Sequence, residues 1–131
     1  MYKASADIRV SRFVKASGTN TVAEAGVGER PIGVSAEYSE SAPLPGYTEL
    51  SATSGNPASL YLAGDGQQED RPVLLILGTG GATFGALLKA DSAGAGVVAS
   101  TDKDCYGAYA LATGSAGETI PVRIMVGYIS V

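Results

Sequence analysis

Alternation of apolar and polar positions, rather than a helical period, organises this chain. Ile8 and Val10 alternate with Asp7, Arg9 and Ser11, and Phe13-Val14 follows, which predicts one entering strand with a buried face. Ser17-Gly18-Thr19-Asn20 predicts a turn, and Thr21-Val22-Ala23 a short return. Gly26 and Gly28 interrupt the chain before Pro31-Ile32-Gly33-Val34-Ser35-Ala36, a strand candidate whose proline suits a first position. Residues 73–77 are five consecutive large aliphatics, the mark of a strand covered on both faces. Leu87-Leu88-Lys89 is a further strand, Asp91-Ser92-Ala93-Gly94 a turn, and Gly96-Val97-Val98-Ala99 its return. The last strand sets Ile120, Val122, Ile124, Val126 and Tyr128 on one face. No window of eleven or more residues carries a capped helical period, and the only alanine-leucine cluster, residues 108–112, is short and bounded by Gly107 and Gly114. Short strands with frequent turns predict an all-β fold, a small β-sandwich or barrel.

The pattern occurs twice. Phe13-Val14-Lys15-Ala16 returns 74 residues later as Leu87-Leu88-Lys89-Ala90. Eighteen residues after each lysine stands a glycine, Gly33 and Gly107. Each copy then ends in a proline-led apolar run closed by a glycine, 72–78 and 121–127. The expected architecture is therefore two pseudo-repeated β units in one domain spanning 1–131. An N-terminal arm covers 1–12, the first unit 13–37 and 72–78, and the second unit 79–131. Residues 38–71 form an insertion and linker, rich in proline and glycine, with short strands expected at 47–50 and 59–62.

Composition and charge narrow the function. A chain of 131 residues is one domain by length and can bury a core without staples. A net charge of −4 argues against general nucleic-acid binding, which needs a basic face. The charge is uneven: Lys3, Arg9, Arg12 and Lys15 face only Asp7 in the first fifteen residues, a local +3, so the rest sums to −7. Such an arm suits an acidic partner, or a solvated edge strand protected by charge. The single cysteine, Cys105, excludes an intramolecular disulfide framework and reads as a small buried apolar residue. No stretch approaches the roughly twenty apolar residues of a membrane span, and no signal-peptide pattern opens the chain, so the expectation is synthesis in a cytoplasm.

Catalytic chemistry finds few candidates. Without histidine there is no imidazole base for a serine or cysteine nucleophile, and most zinc and copper sites are ruled out. The glycine-rich run 78–83 lacks the third glycine, the helix and the lysine that a phosphate loop requires. The run Asp102-Lys103-Asp104-Cys105-Tyr106-Gly107 begins like a calcium loop, but Tyr106 replaces an oxygen ligand and Thr113 stands where a glutamate is needed. No catalytic, cofactor or metal residue is assigned, and no enzyme activity is expected. Seven tyrosines beside two phenylalanines and no tryptophan fit half-wet positions or interfaces.

The sequence resembles a known family at several short motifs. Residues 6–8, Phe13-Val14-Lys15-Ala16-Ser17-Gly18 and Glu29-Arg30-Pro31-Ile32-Gly33-Val34-Ser35 carry it in the first half. Leu87-Leu88-Lys89-Ala90-Asp91, Gly94, residues 107–111 and Gly117-Glu118-Thr119-Ile120-Pro121-Val122 carry it in the second. Together they resemble the capsid decoration, or cement, proteins of tailed bacteriophages. The resemblance implies a structural protein on the outer surface of the virion head, bound to the major capsid protein and to itself as a homotrimer, with neither nucleic acid nor membrane as partner. Charge placement then suggests Tyr2, Lys3, Arg9 and Arg12 for capsid contact, with residues 1–12 removable from a folded core. The insertion suggests Tyr47, Leu60, Tyr61 and Leu62 for contacts between copies. Other readings from the same residues are a tail or baseplate β module and a carbohydrate-binding β module on the virion surface.

Overall fold

The computed structural model describes residues 3–35, 50–52, 55, 60–62, 73–101 and 104–129, with the backbone alone for 50–52 and 60–62. Among them the regular structure is all strand. In chain order these are β1 Lys3–Ala4, β2 Ile8–Arg9, β3 Phe13–Gly18, β4 Thr21–Glu24, β5 Gly33–Ser35 and β6 Leu50–Ala52. They continue as β7 Leu60–Leu62, β8 Val73–Ile76, β9 Leu87–Ala90, β10 Gly96–Val98, β11 Cys105–Ala110 and β12 Thr119–Tyr128. The first sheet has the order β1-β4-β3-β5-β7, the second β10-β9-β11-β12-β8, and β2 pairs with β6.

The repeat is real at the level of hydrogen-bond register. β3 and β4 pair Val14 with Glu24, Lys15 with Ala23 and Ala16 with Val22. Adding 74 to each number gives Leu88–Val98, Lys89–Val97 and Ala90–Gly96, the pairs that β9 and β10 make. The next strand is offset by one more residue. β3 and β5 pair Phe13 with Val34 and Val14 with Gly33, whereas β9 and β11 pair Leu87 with Tyr109 and Leu88 with Ala108. The partner of Gly33 in the repeat is therefore Ala108, not Gly107. The one-residue difference falls in the connection after β10, where neither sheet fixes the chain length.

Two further expectations change. The entering strand is broken: residues 10–11 form a turn and Ser11 has a φ of 54°, an uncommon conformation for a residue with a Cβ. The buried Ser35 holds the break. Its hydroxyl donates to the Arg9 carbonyl at 2.7 Å and accepts from the Arg12 amide at 3.0 Å. The run 72–78, expected to close the first unit, supplies β8 to the second sheet instead. It lies antiparallel to β12, from Val73–Val122 to Ile76–Thr119, so the two proline-led runs meet rather than mirror each other. Aliphatics on both faces suit either sheet, and the alternation alone does not choose.

The second sheet curls into a barrel. Leu77 bridges Gly96 in parallel, and the Gly78 amide donates to the Gly96 carbonyl at 2.8 Å, which joins the outer strands β8 and β10. Gly96 is required there, because a Cβ would stand 2.7 Å from Leu75 Cδ2. Leu75, Leu77, Leu88, Ala110, Ile120 and Val122 belong to the main core, and Phe13, Ala25 and Val34 of the first unit join it. Farther along, the seam between β8 and β10 is filled by the first unit. Ile76 donates to the Ser11 carbonyl at 3.0 Å, and Phe13 donates to the Gly94 carbonyl at 2.8 Å. The other face of the first sheet packs Val14 and Val22 under Ala4 and Ile8, with Ile32 alongside.

Candidate functional site: interaction surfaces and the junction between units

The four cations singled out near the N-terminus have different fates. Lys3 is exposed, and Tyr2 lies outside the described residues. Arg9 forks onto Glu24, Nε to Oε2 at 3.0 Å and Nη2 to Oε1 at 2.8 Å, while its amide also donates to Oε2 at 2.7 Å. The hydrogen bond to Glu24 raises the pKa of Arg9 above its ordinary value. Nη2 of Arg9 and Nη1 of Arg12 both donate to the Ala93 carbonyl, at 3.1 and 2.9 Å. Burial first, and then the neighbouring Arg9 charge, lower the pKa of Arg12. These two arginines therefore clamp the β9–β10 turn onto the first unit. The turn is prepared for the clamp: Asp91 Oδ1 accepts from Ala93 and Ala95, and Gly94 has a φ of 77°. A Cβ on Gly94 would meet the Phe13 carbonyl at 3.2 Å and Arg12 Cβ at 3.3 Å.

Nor do residues 3–12 form a detached arm. β1 pairs in parallel with β4, and Ala4 and Ile8 are buried. Tyr47 lies outside the described residues. Leu60, Tyr61 and Leu62 form β7 beside β5, at one border of the first sheet, and only their backbone is described.

A second constellation was not singled out from the sequence. Lys15 pairs with Glu29 and Lys89 with Asp104, the latter at 3.0 Å. The two lysines are equivalent in the repeat. Each carboxylate also accepts the amide three residues before it, Gly26 for Glu29 and Thr101 for Asp104. Both pairs are thus loop staples, and their recurrence was readable in the shared lysine. Glu29, Lys89 and Asp104 line a cavity of about 160 Å³ with Val27, Arg30, Cys105 and Tyr128. Cys105 is free, and burial raises its thiol pKa above the ordinary value. Asp104, read above as part of a calcium-like loop, is committed to this staple. Asp102 and Lys103 of that loop lie outside the described residues. Among the described residues no group of three or more acidic or cysteine side chains could hold a metal ion.

The staples carry a pH dependence. The hydrogen bond from Lys15, then the Gly26 amide, holds Glu29 below its ordinary value of 4.5. The hydrogen bond from Lys89, then the Thr101 amide, holds Asp104 below 3.8. A carboxyl with a depressed folded value stabilises the fold above its unfolded value and stops doing so as pH falls through the folded one. The melting temperature is expected to drop below about pH 4, and Lys15→Met/Lys89→Met should make that drop shallower. An equally steep drop in the double variant would assign acid unfolding to other groups.

Exposed apolar side chains complete the surface. Phe84 is 66% exposed and Val27 70%. A groove of about 230 Å³ opens between Arg30, Pro31, Ile32 and Val126.

These features define a class: an all-β module of two pseudo-repeated units joined by a built junction. No family model and no curated protein matches the chain. One solved structure of similar fold is the crystal structure of the head fiber gp8.5 N base in bacteriophage phi29. The match has a TM-score of 0.61 at 12% sequence identity and covers 98% of this chain and 93% of that one. At that identity the likeness is one of fold.

Proposed function

We propose that this chain is a non-enzymatic decoration protein of a phage head. It binds the outer surface of the assembled shell and bridges neighbouring capsomers of the major capsid protein as a homotrimer. The observation that carries this reading is the match of nearly the whole chain to the base of a phage head fiber. The resemblance of the sequence to cement proteins supports it independently. The ion pairs of the described residues serve as staples and a clamp that hold loops onto the two sheets. Mechanically, a block that touches several shell subunits must be released before they separate, and many symmetric copies make individually weak contacts collectively strong. Tyr2, Lys3, Arg9 and Arg12 remain proposed shell contacts, with Lys3 exposed and the two arginines also engaged in the clamp. Tyr47, Leu60, Tyr61 and Leu62 remain proposed contacts between copies.

The test is co-sedimentation of the purified protein with expanded, undecorated heads of its source virus, followed by imaging. Saturable occupancy at three-fold positions is expected. Folded protein that leaves the heads bare would overturn the reading in favour of a tail or baseplate module. The same fold likeness favours a second reading, a base on which a fibre stands, and a projection above each bound copy in the images would select it.

A further inference from the structure

Phe84 occupies the corner of a tight turn, where a polar side chain would be at no disadvantage. The turn is closed by Ala86 donating to the Thr83 carbonyl at 3.1 Å, with Gly85 at a φ of 90° in the third position, a type II turn. Three more bonds fix it: Gly85 to the Ala110 carbonyl at 2.9 Å, Ala110 to the Ala86 carbonyl at 2.9 Å, and Phe84 to Thr113 Oγ1 at 3.1 Å. Tyr109 props the ring, edge to face, with centroids 6.4 Å apart and planes at 78°. The side chain is nevertheless 66% exposed. A large aromatic held in place and presented to solvent has the make-up of an interface anchor, since little freedom is lost when it binds.

The same chain carries a socket for it. The groove between Pro31, Ile32 and Val126 holds about 230 Å³, room for one phenyl ring. Its base is firm: Pro31 is fully buried beneath it, and of the accessible walls Ile32 packs against the Val14 and Val22 cluster and Val126 against the main core. At the rim stands the exposed Arg30, whose guanidinium already lies 6.0 Å from the Tyr128 ring centre. That positive charge complements the negative face of an incoming aromatic ring. Phe84 does not line the groove, so a chain does not fill its own socket.

We propose that copies of this chain associate head to tail, with Phe84 of one copy seated in the groove of Arg30, Pro31, Ile32 and Val126 of the next. Knob and socket are different patches, so the contact is heterologous, and it closes into a ring when the rotation between copies permits. One aromatic side chain brings roughly 150–250 Å², well short of the roughly 1,000 Å² of a stable interface. Association in solution is therefore concentration-dependent, and the shell completes it. The contact depends on this chain's surfaces alone and is separable from head binding.

Sedimentation equilibrium of the full chain tests it. The average mass of the unaltered protein should rise with concentration. Phe84→Asp and Arg30→Glu should each stay monomeric and still melt cooperatively, since both positions are exposed and lie outside the core. A mixture of the two should form heterodimers and nothing larger, because one variant keeps the socket and the other the knob. Unaltered protein that stays monomeric at every concentration, Phe84→Asp with the original mass profile, or a mixture that fails to pair would each overturn the proposal. Head binding by the Phe84→Asp monomer is measured separately, so failure of self-association and failure of shell binding remain distinguishable.

Discussion

Removing residues 1–12 is expected to unfold the protein. Ile8 is 0% exposed, Ala4 2% and Ser11 4%, so the segment belongs to the core. Burial of one isoleucine side chain contributes about 1.5–3 kcal/mol. The deletion also takes away β1, β2, both arginines of the clamp and the Ser11 carbonyl that accepts from Ile76. Glu24, now mostly enclosed, would lose the guanidinium that forks onto it. Such losses together approach the whole stability of an ordinary domain, about 5–15 kcal/mol. Circular dichroism during heating should show no cooperative transition for the truncated chain. A truncated chain that melts cooperatively near the original temperature would restore the picture of a detachable arm.

Phe13→Ala should cost a large part of that stability from a single side chain, while leaving a cooperative transition. Phe13 is fully buried in the core shared by the two units. Truncating a buried phenylalanine destabilises by about 3–5 kcal/mol, which in a domain of this size lowers the melting temperature by roughly 10–20 °C. The partner of the ring is an absence of side chain. A Cβ on Gly107 would stand 2.8 Å from Phe13 Cε1 and 2.5 Å from Pro31 Cγ. Gly107→Ala should therefore destabilise by overpacking, by about 1–3 kcal/mol. Combined with Phe13→Leu, it should cost less than the sum of the two single changes, because the smaller side chain leaves room. Strict additivity in the double variant would show that ring and glycine do not press on each other.

What the sequence made legible follows from which interactions are local. The β3–β4 and β9–β10 hairpins were readable because each has a turn signal between short apolar runs, and their registers agree at an offset of 74. The matching glycines misled at the next strand. Gly107 is glycine to make room for Phe13 and Pro31, while the register position of Gly33 is taken by Ala108. The break at Ser11 was hidden because the alternation continues through it, and the groups that hold it, Ser35 and Ile76, are distant in sequence. β8 was assigned to the wrong unit because five aliphatics state that both faces are covered and not by what. Arg9 and Arg12 were read as free charge since Glu24 and the Ala93 carbonyl do not enter a local sum. The knob at Phe84 was missed because a lone phenylalanine in a glycine-rich run carries no periodic signal. The turn becomes evident only with the Thr83–Ala86 bond and the Tyr109 prop.

The filled seam of the barrel also governs the order of events during synthesis. Ser11 and Phe13 leave the ribosome well ahead of their partners, Ile76 and Gly94. Phe13 must wait uncovered until Gly94 has been made, whereas Ile8 finds its cover locally in Ala4, Val14 and Val22. Pairings so distant along the chain favour slow folding, in the millisecond-to-second range of β proteins. Apolar segments left waiting are prone to stick to other nascent chains. High-level production should therefore be limited by the period before residue 94 emerges, and slower initiation or a lower growth temperature should raise the soluble fraction more than any change at the surface of the finished fold.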